Sequence, residues 1–360
     1  MQVEALVIAV GSRSCEVFVE GRGELRCTLR GSLFKTGDPG SGPTGRRKAD
    51  GRLVGGRRET GRARDARHGG GERAGKRDIA AERPVAVGDR VRVALQAASG
   101  SPVEGVVEEV LPRRSVLVRA SPDDKTGRVH VLAANIDRLV IVAALANPPL
   151  REGLIDRFLV EAALQDLPPL VVLNKVDISD AVDDDGRPLT RAVVQPYRAA
   201  GLAVLQTSCV TGEGIPELRD HLTHGTSLVV GHSGVGKSSL INAVSPGGLQ
   251  QRVGEVAEYH GRGRHTTTVA RLLRLSGTDG WLVDSPGLRE FGLDDVAPAD
   301  LARLFPGFGV WPDSCRFSDC RHRAEPGCAV LAAVERGELS RDRHATYLRV
   351  LGEVESARAW

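Results

Sequence analysis

Residues 170 to 177, LVVLNKVD, form an apolar run that ends in Asn174, Lys175, Val176 and Asp177. A carboxylate on such a turn accepts hydrogen bonds from the ring N–H and exocyclic amine of guanine, a donor pair that adenine lacks on that edge. The lysine stem can lie against the purine. Taken alone, N-K-x-D is short, and a plain strand-end turn explains it as well. A second stretch changes the weight. Gly231, His232, Ser233, Gly234, Val235, Gly236, Lys237, Ser238 and Ser239 read GHSGVGKSS and satisfy G-x-x-x-x-G-K-[ST] without substitution. A polyphosphate needs several backbone N–H groups converging on it, glycines where side chains would collide, and a helix N-terminus behind. Lys237 reaches the outer phosphates, as a binding and a catalytic residue, and the Ser238 hydroxyl ligates magnesium. Asp177 then separates GTP from ATP.

Three further segments complete a nucleotide site. TSC (207–209) falls where a second base-contacting loop belongs, with Ser208 bracing the turn and the Cys209 backbone N–H facing the base oxygen. Cys209 also reads simply as a small buried residue. DSPG (284–287) ends a strand, so Asp284 fits a carboxylate holding magnesium through water and the Gly287 N–H a sensor of the γ-phosphate. Between them GRGRHTTT (261–268) is a polar loop in which a threonine completes the magnesium shell. The chain order is base loop, second base loop, phosphate loop, switch, D-x-P-G. That is the usual GTPase circle cut and rejoined elsewhere, a change tolerated where the original termini lie close together. Downstream, CRFSDCRHRAEPGC places Cys315, Cys320, His322 and Cys328 within fourteen residues. Three thiolates and an imidazole make a closed tetrahedral zinc site, structural because no position is left for substrate.

Elements must hold these residues. Short strand patterns at 4–10, 15–20, 24–31, 89–95, 103–110 and 115–120 predict a small closed all-β barrel, with the oligonucleotide-binding (OB) barrel leading. Cys15 and Cys27 read as core residues of it. Between its strands, residues 37–83 hold twelve Gly, 13 Lys/Arg against 7 Asp/Glu, and only Leu53, Val54 and Ile79 as large aliphatics. Such a segment buries too little apolar surface to offset its ordering entropy and is expected to be disordered. From residue 135 strands and helices alternate, which predicts a mainly parallel α/β sheet covered on both faces. After residue 297 the cysteine cluster and two short helices form a third unit. The expected division is a barrel at 1–130, a circularly permuted P-loop domain at 131–296 and a small helical zinc-binding domain at 297–360.

The bulk composition agrees with a soluble multidomain protein: 360 residues, 41% hydrophobic, 26% charged, net charge +3. No apolar run has bilayer-spanning length, and the N-terminus lacks a basic leader, so a cytoplasmic location and no membrane partner are expected. Six cysteines, three of them clustered, fit a metal site in a reducing compartment better than a disulfide framework.

Together NKVD, GHSGVGKSS, GRGRHTTT and DSPG, in that order, with a barrel ahead and a cysteine cluster behind, resemble the circularly permuted bacterial GTPases. The chain is similar to the ribosome small-subunit-dependent GTPase A family over nearly its whole length, residues 37–83 excepted. The C-x4-C-x-H-x5-C spacing matches the zinc segment of that family. The resemblance implies GTP/GDP and Mg2+ as ligands, one structural Zn2+, and GTP hydrolysis stimulated by the small (30S) ribosomal subunit during its late maturation. It also implies contact with that subunit's rRNA; we expect a monomer. By likeness to related switch loops Thr267 is the magnesium ligand, with Thr266 and Thr268 open. Leu288 stands where many GTPases carry a water-orienting Gln, so slow intrinsic turnover is expected. His265 is a substitute for that Gln or simply an exposed loop histidine. A P-loop ATPase or nucleic-acid motor leaves Asp177 unexplained, and an RNA-binding module with little hydrolysis leaves Lys237, Ser238 and Asp284 unexplained. Another permuted GTPase serving a different RNA–protein assembly shares all these motifs. The barrel has only Phe18 and Phe34 for base stacking, which argues against sequence-specific single-strand reading. If the Arg/Gly segment is a phosphate-binding arm, deleting residues 40–80 flattens the salt dependence of subunit binding; if it is a solvated spacer, the slope stays as it was.

Overall fold

The computed structural model describes residues 1–33 (12 and 32 excepted), 85–95, 105–120, 129–178, 189–245, 249–250, 270–284 and 296–357. The Gly/Arg-rich stretch 37–83 lies outside them. Five N-terminal strands close on themselves: β1 (Gln2–Val10), β2 (Ser14–Val19), β3 (Gly23–Leu29), β4 (Arg90–Leu95) and β5 (Gly105–Val110). β1 pairs with β2 along its second half and with β4 along its first, while β3 and β5 run parallel. The resulting order β1-β2-β3-β5-β4-β1 is a barrel with no free edge among these strands. Alternation fills it, with Val7, Cys15, Val17, Cys27, Val91, Val93 and Val107 facing inward and almost fully buried. Burial, and then the neighbouring Cys27, push the Cys15 thiol up to about 12.

The sixth expected strand stands apart. β6 (Val116–Ala120) pairs with β7 (Val129–Ala134) as a separate two-stranded hairpin. Its apolar residues satisfied the strand pattern, but nothing in their spacing distinguishes a barrel neighbour from a local hairpin partner.

The second unit comprises β8 (Arg138–Ala144), α1 (Glu152–Leu164), β9 (Pro169–Asn174), α2 (Leu189–Ala199), β10 (Ala203–Thr207), α3 (Ile215–Leu222), β11 (His224–Val230), α4 (Lys237–Val244), β12 (Leu249–Gln250), β13 (Arg271–Leu275) and β14 (Asp279–Asp284). Strands lie in the order β10-β9-β8-β11-β14-β13, the first five parallel and β13 antiparallel to β14. The near-continuous apolar runs of β8 and β9 are explained by burial on both faces. Leu139, Ile141, Val171 and Leu173 pack towards α1 and α2, whereas Val140, Val142, Leu170 and Val172 pack towards α3 and α4.

The third unit holds α5 (Leu301–Leu304), α6 (Ala329–Glu335) and α7 (Arg341–Ala357). The pair of helices read as short therefore includes one of 17 residues. Its core, with Phe305, Phe308, Tyr347 and Val350, also takes in Val160 of α1. Among the described residues no helix is long and apolar enough to cross a membrane.

Barrel and α/β sheet are joined at one register pair, Ala9 with Arg271. Outward-facing Phe18 of β2 meets Trp281 of β14 edge to face at 5.1 Å, and the Arg274 guanidinium lies 5.0 Å from the Phe18 ring. Phe18 is thus engaged by the neighbouring unit instead of standing free for base stacking. Truncation to Ala at position 18 removes a half-buried aromatic pair and its cation–π contact. We expect it to lower stability in denaturant unfolding by about 2 kcal/mol.

Candidate functional site

Parallel pairing brings the motif-bearing loops to one edge. Ala144, Asn174 and Thr207 are register partners at the ends of β8, β9 and β10. β11 ends at Val230 beside them, and β14 ends at Asp284, one residue beyond the Leu228–Val283 pair. The NKVD loop, the TSC loop, the phosphate loop and the start of DSPG therefore leave the sheet on the same side. Nucleotides bind α/β sheets at this carboxyl edge.

The base loop touches the phosphate loop directly. The Asn174 side chain, 2% exposed, donates from Nδ2 to the Val235 carbonyl at 2.9 Å. Its Oδ1 accepts from the Thr207 hydroxyl at 3.1 Å. Lys175, in the left-handed region at φ 64°, donates from Nζ to the Gly234 carbonyl at 2.8 Å and to the Asn147 carbonyl. Asp177 is exposed on the 3-10 turn Val176–Ile178, where its carboxylate is accessible to a ligand. The Cys209 thiol is raised first by burial and then by the charge of Asp177. Ser208 Oγ accepts from the backbone N–H groups of Val210 and Thr211, both at 3.1 Å, bracing that loop.

Glycine is required at two positions of the phosphate loop. At Gly236, φ is 96° and a Cβ would lie 2.3 Å from Asn174 Nδ2; at Gly231, φ is 146° and a Cβ would lie 2.1 Å from the Val142 carbonyl oxygen. Only the missing side chains let the loop close over the strand ends. Lys237 opens α4 and donates from Nζ to the carbonyls of Gly231 and His232, each at 2.8 Å. Its ammonium thus sits across the mouth of the loop. Ser238 and Ser239 are exposed on the first turn, as are His232, Ser233 and Gly234 on the loop, while Val235 is buried beneath it. This set offers backbone donors, a lysine and a hydroxyl, the groups that a magnesium-bound nucleotide uses.

In the third unit Cys315, Cys320, His322 and Cys328 present ligand atoms that all lie within 4.8 Å of one another. Cys315 Sγ is 3.8 Å from Cys328 Sγ, and His322 Nδ1 is 3.5 and 3.4 Å from those sulfurs. Backbone N–H groups of Ala329 and Leu331 point at Cys315 and Cys328 Sγ, both at 3.4 Å. Burial pushes the Cys320 thiol up to about 12, raises Cys328 and lowers His322. A buried cluster of donors poor at holding charge alone, with N–H groups aimed at sulfur, fits a divalent cation such as Zn2+. Glu325 frames the loop. Although burial opposes it, its carboxylate accepts from the N–H groups of Arg321, Arg323 and Ala324 at 2.8, 2.7 and 3.0 Å, which holds its pKa down to about 2.

Two participants escaped the motif reading. Thr207 was part of TSC without a role of its own, and Asn147 follows a strand in an Asn-Pro-Pro turn, a turn signal with no chemistry attached. His265, Thr266, Thr267, Thr268, Gly287 and Leu288 lie outside the described residues, and of Asp284 only the backbone position is described.

Comparison with known proteins agrees with this geometry. The family model described as RsgA GTPase matches residues 110–294. A protein of Dickeya dadantii (strain 3937), named small ribosomal subunit biogenesis GTPase RsgA, is 44% identical over 267 residues, covering 73% of this chain and 74% of its own. A protein of the same name from Sodalis glossinidius is 43% identical over 273 residues, covering 76% and 77%. The crystal structure of YjeQ from Thermotoga maritima superposes with a TM-score of 0.65 at 28% identity, covering 98% of this chain and 99% of that one. That of YloQ, described as a circularly permuted GTPase, gives 0.64 at 25% identity, covering 99% and 96%. The chain is a GTP-hydrolysing enzyme and belongs to the RsgA GTPase family.

Proposed function

We propose that this GTPase acts in the biogenesis of the small ribosomal subunit, binding that subunit and its rRNA and hydrolysing GTP in response. The single observation that carries the nucleotide assignment is the contact between the two ends of the site. Asn174 and Lys175 hydrogen-bond the carbonyls of Val235 and Gly234, so one ligand reaches both the base loop and the phosphate cradle. The ribosomal assignment is supported by relatives at 43–44% identity that carry the name over three quarters of their length. The family resemblance carried by the motif order agrees with it.

In this reading Asp177 accepts from guanine, Lys175 backs the purine, and Ser208 with Cys209 forms the second base loop. Residues 231–239 cradle the phosphates. Ser238 with Thr267 and Asp284 holds Mg2+, which neutralises charge on the phosphates, while the Gly287 N–H meets the γ-phosphate. Leu288 cannot orient water, so turnover without the subunit is slow. His265 is the residue we assign, in the switch loop, to help place the attacking water. Cys315, Cys320, His322 and Cys328 hold one Zn2+ that stabilises the unit at 297–360, beside the nucleotide domain at 131–296 and the barrel at 1–130.

Phosphate release measured with each isolated ribosomal subunit tests the assignment: the small subunit is expected to stimulate it many-fold and the large subunit not at all. Equal responses would refute a role specific to the small subunit. Asp177→Asn is expected to weaken GTP binding by ~2–3 kcal/mol, roughly 50-fold, and to admit xanthine nucleotide, whose 2-oxo group accepts from the new amide. Metal analysis is expected to give one zinc per chain. Cys320→Ser should lose it and destabilise the third unit by roughly 3 kcal/mol or more, with GTP binding retained.

A further inference from the structure

The loop between β8 and α1 lies against the nucleotide site, and none of its residues belongs to a nucleotide motif. Leu145 N–H donates to the Asn174 carbonyl at 3.2 Å, and the Asn147 carbonyl accepts from Lys175 Nζ. Asn147 takes φ 48°, a conformation asparagine tolerates better than most side chains. A Cβ built on Gly234 of the phosphate loop would stand 3.6 Å from Pro148 Cδ. The ammonium of Lys175 thus bridges two carbonyls, one on this loop and one on the phosphate loop.

Four residues after Pro148 the chain enters α1, whose far side is fastened to the zinc-binding unit. Asp156, 0% exposed, receives two hydrogen bonds from Arg343 Nη1 of α7, at 2.8 and 3.0 Å. Arg343 Nη2 donates to the Pro306 carbonyl at 2.9 Å, and its guanidinium lies 4.8 and 5.1 Å from the Phe305 and Tyr197 rings. Arg157 Nε donates to Glu353 at 2.8 Å, and the Arg349 guanidinium lies against Gly153. Parting a buried pair leaves an uncompensated charge in a low-dielectric interior, so α1 and α7 move together. α7 in turn grips the metal-ligand loop: His344 Nε2 is 2.7 Å from the His322 carbonyl, and the Tyr347 hydroxyl donates to the Arg321 carbonyl at 3.3 Å.

We propose that the 145–150 loop positions Lys175 for the purine and, through α1 and the Asp156–Arg343 pair, makes the setting of the zinc-binding unit depend on whether the base site is filled. A purine laid on the Lys175 stem fixes the ammonium, and with it the Asn147 carbonyl and the start of α1. GDP and GTP engage this route alike, which separates it from any signal through the γ-phosphate at Gly287. The inference rests on the guanine-nucleotide reading of the site.

Hydrogen–deuterium exchange on the full-length, zinc-loaded protein tests it, with GDP, a non-hydrolysable GTP analogue or inorganic pyrophosphate at saturation. GDP and the analogue are expected to slow exchange in 231–245, 152–164 and 341–354, the last by roughly threefold. Pyrophosphate, which lacks a base, should slow 231–245 alone. In the double variant Asp156→Leu, Arg343→Met, which removes both charges and orphans neither, GDP should still slow 152–164 but no longer 341–354. Slowing at 231–245 without any at 341–354 overturns the coupling and leaves the nucleotide reading intact, as does equal slowing of 341–354 by pyrophosphate or its persistence in the double variant. No slowing by GDP at 231–245 overturns both. The wild-type comparison decides even if the double variant does not fold.

Discussion

The side chain of Asn174 is buried at the end of β9 with its amide nitrogen on the phosphate loop and its amide oxygen on the end of β10. A buried amide that loses either partner carries the full desolvation penalty of an unpaired polar group, about 1–3 kcal/mol. Three segments far apart in sequence are therefore held at hydrogen-bonding distance by one residue. Gly236 is part of the same constraint, because the space a Cβ would need there is occupied by the Asn174 amide. The constraint is local to the strand ends and indifferent to how the strands are connected. A base loop that precedes its phosphate loop by some sixty residues can meet it as readily as one that follows.

Connectivity matters instead for what the nucleotide domain is attached to. Its phosphate-loop strand β11 is central, flanked by β8 and β14, and the two neighbouring units take opposite attachments. The barrel joins strand β13, through Ala9–Arg271 and the Phe18–Trp281–Arg274 cluster. The zinc-binding unit joins helix α1 on one face, through Asp156–Arg343 and Val160. β13 directly follows the switch segment in the chain, and α1 directly follows the loop that holds Lys175. Each neighbouring unit is thus bonded to an element that begins at the carboxyl edge of the sheet.

Much of the fold was legible because its strands carry strong local signals. The runs at 139–144 and 170–174 are apolar on both faces, and the inward alternation of Val7, Val17, Val91 and Val93 marks a one-sided barrel wall. The fate of 115–120 was not legible, since the apolar spacing of 115–120 and of 129–134 does not say which partner each strand takes. Strand β13, RLLRL, escapes the pattern for a similar reason: it is five residues with arginines at its first and fourth positions, and its place comes from β14 and β1 on either side. At the site, motif spacing pointed to residues whose types are chemically demanding, such as Lys237 and Asp177. It was blind to backbone acceptors. The carbonyls of Val235, Gly234 and Asn147 organise the base loop, and any residue type supplies a carbonyl.

The loop that carries Cys315, Cys320, His322 and Cys328 is ordered by the protein's own contacts around a cluster that fits a cation. Burial raises Cys320 and Cys328 and lowers His322, which favours the neutral form of these three donors and limits their mutual repulsion in the absence of metal. Binding a divalent ion must then displace thiol protons, and affinity rises with pH as that displacement becomes easier. The loop geometry does not wait for it. Glu325 ties down three consecutive-region amides around His322, and its depressed pKa means this tie is complete above the ordinary carboxylate range and is lost only as pH falls towards 2. Metal affinity and loop order thus respond to different pH windows, and between them the ligands are in place while the protons still compete. Docked by Tyr347 and His344 on α7, that loop is also where the chain from Asp156 ends. In the proposed coupling, this is where a movement of α1 reaches the four cation-ligand residues.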